Sequence, residues 1–196
     1  PLAAEVLSAR PYAFLDDAPL EEGRTQAVQQ RRWNDVGNDN DYARLDQAAI
    51  DAVREEAWPQ ARDADEMHDA LFALGYLSVA EAEQYGWISH LTALAQSRRA
   101  TQLTHPALSS PIWVVAERLN QFDQMHPGAR RSPPISAPDA AEPAGADATA
   151  ALVEIIRGRM AAVGPVLASQ LTVALGVSSV DIELALHALE GEGYVM

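Results

Sequence analysis

Helix-capping signals limit the possible folds of this chain more than any other feature of its sequence. One predicted helix has an acidic N-cap, Asp63 or Asp65, and ends at Gly75. The next begins near Ser78, where Glu81 stands at the spacing of a capping box. Three consecutive helices are therefore predicted, at residues 65–74, from about residue 78, and from about residue 87 to residue 98.

The periodicity of the sequence changes after these helices. Residues 100–105 ("ATQLTH") and 111–117 ("PIWVVAE") are β-prone, and "PALSS" separates them, which predicts a hairpin. Three helices followed by a two-stranded wing is the winged-helix pattern. We therefore predict a degenerate winged-helix-like domain over residues 44–126, preceded by an N-terminal helical lead-in over residues 1–43.

The second half of the chain repeats this pattern after a break. Residues 127–148 are rich in proline and alanine without apolar periodicity, which is typical of a linker. A helix from about Thr149, a break at Gly164, a second helix ending at Gly176 and a third capped by Ser178 follow. A strand is predicted to start at Tyr194, so residues 149–196 read as a second winged helix truncated at its wing. The predicted fold class is mainly α with short β-hairpins, arranged as tandem winged-helix-like units.

Residues 65–68 spell Asp-Glu-Met-His, the DExH box of ATP-driven helicases. Such a motor also needs a phosphate loop with a lysine, and this chain has no lysine. An acidic first turn followed by apolar residues at helical spacing instead predicts a helix N-terminus. The chain also has no cysteine, and its histidines are scattered. No catalytic residue and no metal site are predicted.

The formal net charge of −14 bears directly on possible partners. Nucleic-acid binding depends on Lys and Arg that neutralise phosphates, so contact with DNA needs a local basic patch or a more basic parent protein. The candidates are Arg98 and Arg99, between the third helix and the wing, and Arg31 and Arg32. Further candidates are Arg130, Arg131, Arg157 and Arg159. Each of these arginines has the alternative role of a surface or inter-domain ion pair.

Two further features bear on partners and packing. The helix over residues 178–190 exposes Asp181, Glu183 and Glu190 and has no basic residue, so it is predicted to be a poor reader of DNA. The four tryptophans are expected to anchor the core or an interface, at residues Trp33, Trp58, Trp87 and Trp113.

Several unusual strings also carry a family resemblance that covers essentially the whole chain. They include "RPYAFLDDAPLEE" (residues 10–22), "REEAWP" (54–59), the block "RRATQL…PIWVVAERL" and the stretch from Val153 to Met196. In this order they resemble the large helicase-related (Lhr) family of bacterial superfamily 2 helicases. The matching region follows the ATPase core and opens the C-terminal extension. The Walker motifs of the family lie upstream of it.

The resemblance implies a parent protein that translocates on single-stranded or forked DNA with ATP and magnesium and acts in DNA repair. Its C-terminal winged-helix module is associated with DNA glycosylase activity. This chain is then expected to be a non-catalytic segment that links the motor to that module, positions DNA and contacts neighbouring helicase domains. The start at Pro1 and the strand predicted at the C-terminus are interpreted as marks of a larger protein.

A stand-alone acidic winged-helix adaptor that binds other proteins and not nucleic acid is the alternative. Whether the chain has any enzyme activity of its own stays open, and no cofactor is expected within it. No run of eighteen apolar residues occurs, so no membrane partner is expected, and a cytoplasmic location is the default expectation.

Overall fold

The computed structural model describes residues 47–139 and 147–195. Over these residues the chain is mainly helical and carries one small four-stranded antiparallel sheet. The predicted lead-in over residues 1–43, with Arg31, Arg32 and Trp33, lies outside the described residues. No structural statement therefore applies to those three side chains.

The three helices predicted before the hairpin are confirmed, and two of them have the expected N-cap. Asp63 is the N-cap of α2, where its carboxylate accepts the backbone N–H groups of Asp65 and Glu66, each at 2.9 Å. Ser78 and Glu81 form the capping box of α3. The DExH-like string is thus the first turn of a helix. The four helices of this half are α1 (Gln47–Ala57), α2 (Ala64–Leu74), α3 (Val79–Gln84) and α4 (Ile88–Gln96).

The strands follow the order β1–β3–β2–β4 in the sheet. They are β1 (Leu77–Ser78), β2 (Ala100–Thr104), β3 (Ile112–Val115) and β4 (Arg130–Ser132). The predicted hairpin is confirmed, since β2 and β3 pair antiparallel from Ala100 opposite Val115 to Leu103 opposite Ile112. Strands β1 and β4 were not predicted, because two or three residues are too short to show a strand periodicity.

The C-terminal half adds four helices, of which the last three were predicted. They are α5 (Leu119–Met125), reached through a 3-10 turn at Ala116–Arg118, α6 (Ala148–Val163), α7 (Ala168–Leu175) and α8 (Ser179–Gly191). Gly176 ends α7 at φ +60°, in the left-handed region that favours glycine. A Cβ at Gly176 would lie 2.2 Å from the carbonyl oxygen of Ala107, so this turn needs glycine for space as well.

The strand predicted from Tyr194 is wrong over Tyr194 and Val195, which lie in no strand. The backbone there closes the end of α8 instead. The N–H of Tyr194 donates to the carbonyl of Leu189 at 2.8 Å, and Gly193 adopts φ +73°. This is the hydrogen-bond pattern of a glycine C-cap. It occupies the N–H of Tyr194, which would otherwise be able to pair in a strand.

Both faces of the sheet are buried. Successive side chains of a strand point to opposite faces, and accordingly Ile112 and Val114 pack with α5 to α8, whereas Trp113 and Val115 pack with α2 to α4. Trp58 and Trp87 join the second cluster, so the expectation that these tryptophans anchor the core is confirmed for the three described ones.

The predicted linker and second unit are in contact with the first. Strand β4 lies within residues 127–148, and helices α6, α7 and α8 share an apolar cluster with β2 and β3. The domain boundaries proposed above stay a prediction.

One observation bears on membrane insertion. Within residues 47–139 and 147–195, no single helix is both long and apolar enough to cross a membrane; α7 and α8 meet those criteria only as a pair, and that pair is bent by 120°.

Candidate nucleic-acid interface

The turn between α4 and β2 places Arg98 in an unusual backbone conformation. Arg98 has φ +62°, the one positive φ at a non-glycine residue among those described. The N–H of Arg98 donates to Ala95, and the N–H of Arg99 donates to Leu94. This is a Schellman motif, whose left-handed position is usually glycine because a Cβ is strained there. A strained arginine at an exposed turn favours a role for its side chain.

The side chain of Arg98 is exposed and lies beside an irregular segment of the chain. It borders a shallow groove that is also lined by Pro134, Ile135 and Ser136. Among the described residues its guanidinium has no carboxylate partner. The charge of Arg98 is therefore available to an anion.

The second predicted candidate, Arg99, is differently placed. Its guanidinium forms an ion pair with Asp65 in the first turn of α2, and its side chain is 39% exposed. Because a phosphate would have to compete with this carboxylate, Arg99 contributes less to an anion site than Arg98 does. Whether either arginine contacts nucleic acid stays a prediction.

Strand β4 supplies a further candidate. Arg130 pairs with Thr104 across the edge of the sheet, is exposed, and has no carboxylate partner among the described residues. Its neighbour Arg131 is instead bound to Asp123 and to the carbonyl of Ile135. Arg130 and Arg98 thus flank the β2–β4 edge, at opposite ends of β2. We call these two side chains the edge arginines.

The other predicted arginines are engaged elsewhere. Arg157 pairs with Glu154 and Glu192, and Arg159 pairs with Glu81. The ion-pair alternative is confirmed for both. The doublet at residues 130–131 was the sequence signal for Arg130, but only the structure shows that Arg131 is paired with Asp123 and that Arg130 has no carboxylate partner within residues 47–139 and 147–195.

The exposed face of α8 is acidic, as predicted. Asp181, Glu183 and Glu190 are all exposed, whereas Ile182, Ala185 and Leu189 of the same helix are buried. This helix would repel a phosphate backbone. The candidate nucleic-acid interface is therefore the edge of the sheet and not the third helix of the C-terminal half.

The described histidines do not assemble a metal centre. His68 Nε2 lies 3.3 Å from Glu117, which is a carboxylate neighbour that the sequence spacing did not reveal. Burial lowers the pKa of His126, and the ring of His105 at 4.9 Å lowers it further. Among the described residues no group of three His, Cys, Asp or Glu is placed to hold a metal ion.

The described residues do not fit ATP and magnesium either. Asp65 and Glu66 lie in the first turn of a helix, not at the end of a buried strand, and Asp65 is bound by Arg99. No described segment supplies a phosphate loop with lysine. No step of ATP chemistry is therefore assigned to these residues.

Replacing Arg98 by glycine is expected to raise the free energy of unfolding by about 1 kcal/mol, because glycine removes the left-handed strain. The matched variant Arg98→Ala removes the same charge and keeps the strain, so it should not be stabilising. Urea denaturation of the three proteins measures the difference. Equal stabilities for the glycine and alanine variants would show that the turn is unstrained.

Comparison with known proteins adds no family assignment. No protein-family model matches the chain, and no curated protein matches it.

Proposed function

We propose that the chain is a non-catalytic segment of an Lhr-type, ATP-dependent DNA helicase that acts in DNA repair. In that parent it links the motor core to the C-terminal glycosylase-like winged-helix module and positions single-stranded or forked DNA. The proposal rests on the family resemblance and on one observation in particular, the two edge arginines, which have no carboxylate partner among the described residues of a chain of net charge −14. ATP and magnesium belong to the motor of the parent.

The order of elements supports tandem winged-helix-like units as the finer description of the fold. Helix α2, strand β1, helices α3 and α4, and strands β2 and β3 follow one another, and β3 lies between β1 and β2 in the sheet. In the second half α7 and α8 meet at 120° across a short turn that begins with Gly176. That angle and that turn are typical of a helix-turn-helix.

The edge arginines are suited to positioning DNA without reading its sequence. Guanidinium groups bind phosphate oxygens, and phosphate contacts fix orientation but carry no sequence information. Strand β4 is at an edge of the sheet, and in this proposal the nucleic-acid backbone runs along that edge between Arg130 and Arg98. A segment of this kind guides a strand between two catalytic modules.

Fluorescence anisotropy with single-stranded and forked DNA across a salt series tests the proposal. We expect micromolar binding that weakens steeply with salt. The double variant Arg98→Gln/Arg130→Gln should bind about tenfold more weakly and reduce the salt slope by about two. As a matched control, Arg157→Gln removes one charge from an arginine already held by two carboxylates and should leave affinity nearly unchanged.

The alternative function is a stand-alone acidic adaptor that binds proteins. The exposed acidic face of α8, which also carries the exposed Val180 and Leu184, favours it. Absence of DNA binding at the lowest salt, with no effect of the edge-arginine variants, would contradict DNA positioning and support the adaptor.

A further inference from the structure

A pocket of about 290 Å³ lies between α1, α3, α6 and α7, away from the edge arginines. Its size is at the low end for small-molecule sites, which suits one small planar group. Residues from four helices and Tyr76, just before β1, line it, so no local sequence motif marks it. The aromatic and charged side chains that line it are those of Arg54, Trp58, Tyr76, Glu81, Tyr85 and Arg159.

One wall of the pocket is aromatic. The rings of Trp58 and Tyr85 stack with centroids 5.1 Å apart and planes 22° apart, and Tyr85 also stacks with Trp87 at 5.2 Å. Trp58 and Trp87 are buried, whereas Tyr85 is 43% exposed. The exposed ring of Tyr85, supported by two fixed indoles, is therefore a ready stacking platform for a planar ligand.

A buried arginine adjoins this aromatic wall. Arg159 is 6% exposed and lies 5.1 Å from the ring of Trp58 and 4.8 Å from the ring of Tyr76. Its guanidinium also binds the carboxylate of Glu81. Burial raises the pKa of Tyr76, so the phenol beside this arginine stays neutral. These contacts hold the wall in one arrangement.

The charge of the pocket is opposite to that of the chain. Arg54 donates to the carbonyls of Val163 and Pro165 at 2.6 Å and has no carboxylate partner among the described residues. The lining of the pocket therefore includes two guanidinium groups, of Arg54 and Arg159, and one carboxylate, of Glu81. The pocket is locally positive and suits an aromatic ligand that bears negative charge.

A second hollow of about 480 Å³ adjoins the pocket and shares Tyr76 and Gln170 with it. Serines line this hollow, among them Ser109, Ser110 and Ser169. Serine hydroxyls and arginines are common ligands of the phosphates of nucleic acids. An aromatic socket with a second hollow beside it has room for the neighbouring nucleotides of a strand, whereas the isolated aromatic side chain of a partner protein would need only the socket.

We propose that this pocket binds one unstacked base of a single-stranded nucleic acid. The base stacks on Tyr85, and the adjacent phosphate lies near Arg54. The site is distinct from the edge arginines, and its assignment to nucleic acid rests on the proposed DNA-positioning function. Stacking on an aromatic ring tolerates any base, so the pocket holds a strand without selecting a sequence.

Tryptophan fluorescence tests this site, since Trp58 and Trp87 adjoin the stacking platform. The full chain is titrated with oligodeoxythymidylate, with an abasic oligomer of the same length, and with thymidine monophosphate. We expect the oligomer with bases to quench the emission and to bind about tenfold more tightly than the abasic one. Tyr85→Ala should abolish that difference, whereas Tyr85→Phe, which keeps the ring, should preserve it.

The other possible outcomes distinguish base binding in this pocket from phosphate binding at the edge arginines. If the abasic oligomer binds as tightly as the oligomer with bases, and Arg98→Gln/Arg130→Gln removes that binding, the base-binding pocket is overturned and DNA positioning stands. Quenching by thymidine monophosphate that needs Tyr85, without oligomer binding, would overturn the assignment to single-stranded nucleic acid, contradict DNA positioning, and leave a site for a free nucleotide. Quenching only by an acidic peptide with one phenylalanine would overturn the nucleotide assignment and identify a protein-binding socket.

Discussion

Replacing Gly158 by alanine is expected to lower the free energy of unfolding by about 3 kcal/mol, although alanine is the better helix former. Gly158 lies in the middle of α6, where it faces the last turn of α2. A Cβ at this position would come within 2.3 Å of the carbonyl oxygen of Ala73. Backbone cannot yield as a flexible side chain does, so the two helices would have to separate and open the apolar cluster between them.

Chemical denaturation measures this effect, with Gly191→Ala as the matched control. Gly191 ends α8, and a Cβ there meets nothing within 4 Å, so its replacement should be neutral or slightly stabilising. Equal stability changes for the two variants would mean that α2 and α6 do not approach as closely as described. The same result would also mean that the contact of Gly158 with Ala73 does not hold the two predicted units together.

The local elements were predictable because their signals are local. Asp63, the Ser78–Glu81 capping box and Gly176 each fix a helix end through hydrogen bonds or backbone conformations that span a few residues. The hairpin likewise follows from two adjacent β-prone stretches. Such signals need no knowledge of the remaining chain, so these elements could be located before any tertiary contact was known.

The elements that were missed depend on distant partners. Strand β4 has only three residues, two of them arginine, and it is a strand because β2 offers an open edge. The strand predicted at Tyr194 did not form, because Tyr194 and Val195 pair with no strand of the sheet. The guanidinium of Arg157 instead lies 5.2 Å from the centre of the Tyr194 ring. Short strands are thus determined by what is available to pair with them.

The candidate sites were predictable only in part for the same reason. The arginine doublets were visible in the sequence, but the pairing of Arg99 with Asp65 and of Arg131 with Asp123 was not. These pairs determine which arginines remain free for phosphate. Trp58 and Arg159 were singled out in the sequence separately, but the pocket that they line was not predicted, because Arg54, Glu81 and Arg159 come from three separate helices.

Replacing Arg159 by methionine is expected to lower the free energy of unfolding by about 3 kcal/mol. Methionine fills a similar volume but leaves the carboxylate of Glu81, whose side chain is 24% exposed, without its cation. It also removes the contacts of the guanidinium with the rings of Trp58 and Tyr76. Thermal or urea denaturation measures the loss. Arg157→Met, two residues away in α6 at a side chain that is 27% exposed, should have a much smaller effect.

A double-mutant cycle with Glu81→Gln separates the lost charge pair from lost packing. Glutamine can still cap α3 at Ser78, so the substitution removes the charge and keeps the cap. If the unpaired carboxylate causes much of the damage, Arg159→Met/Glu81→Gln should be more stable than the sum of the single variants predicts, by about 1–2 kcal/mol. Strict additivity would instead assign the stabilisation to the aromatic contacts of Arg159. The pocket wall would then be held mainly by the packing of Arg159 against the rings of Trp58 and Tyr76.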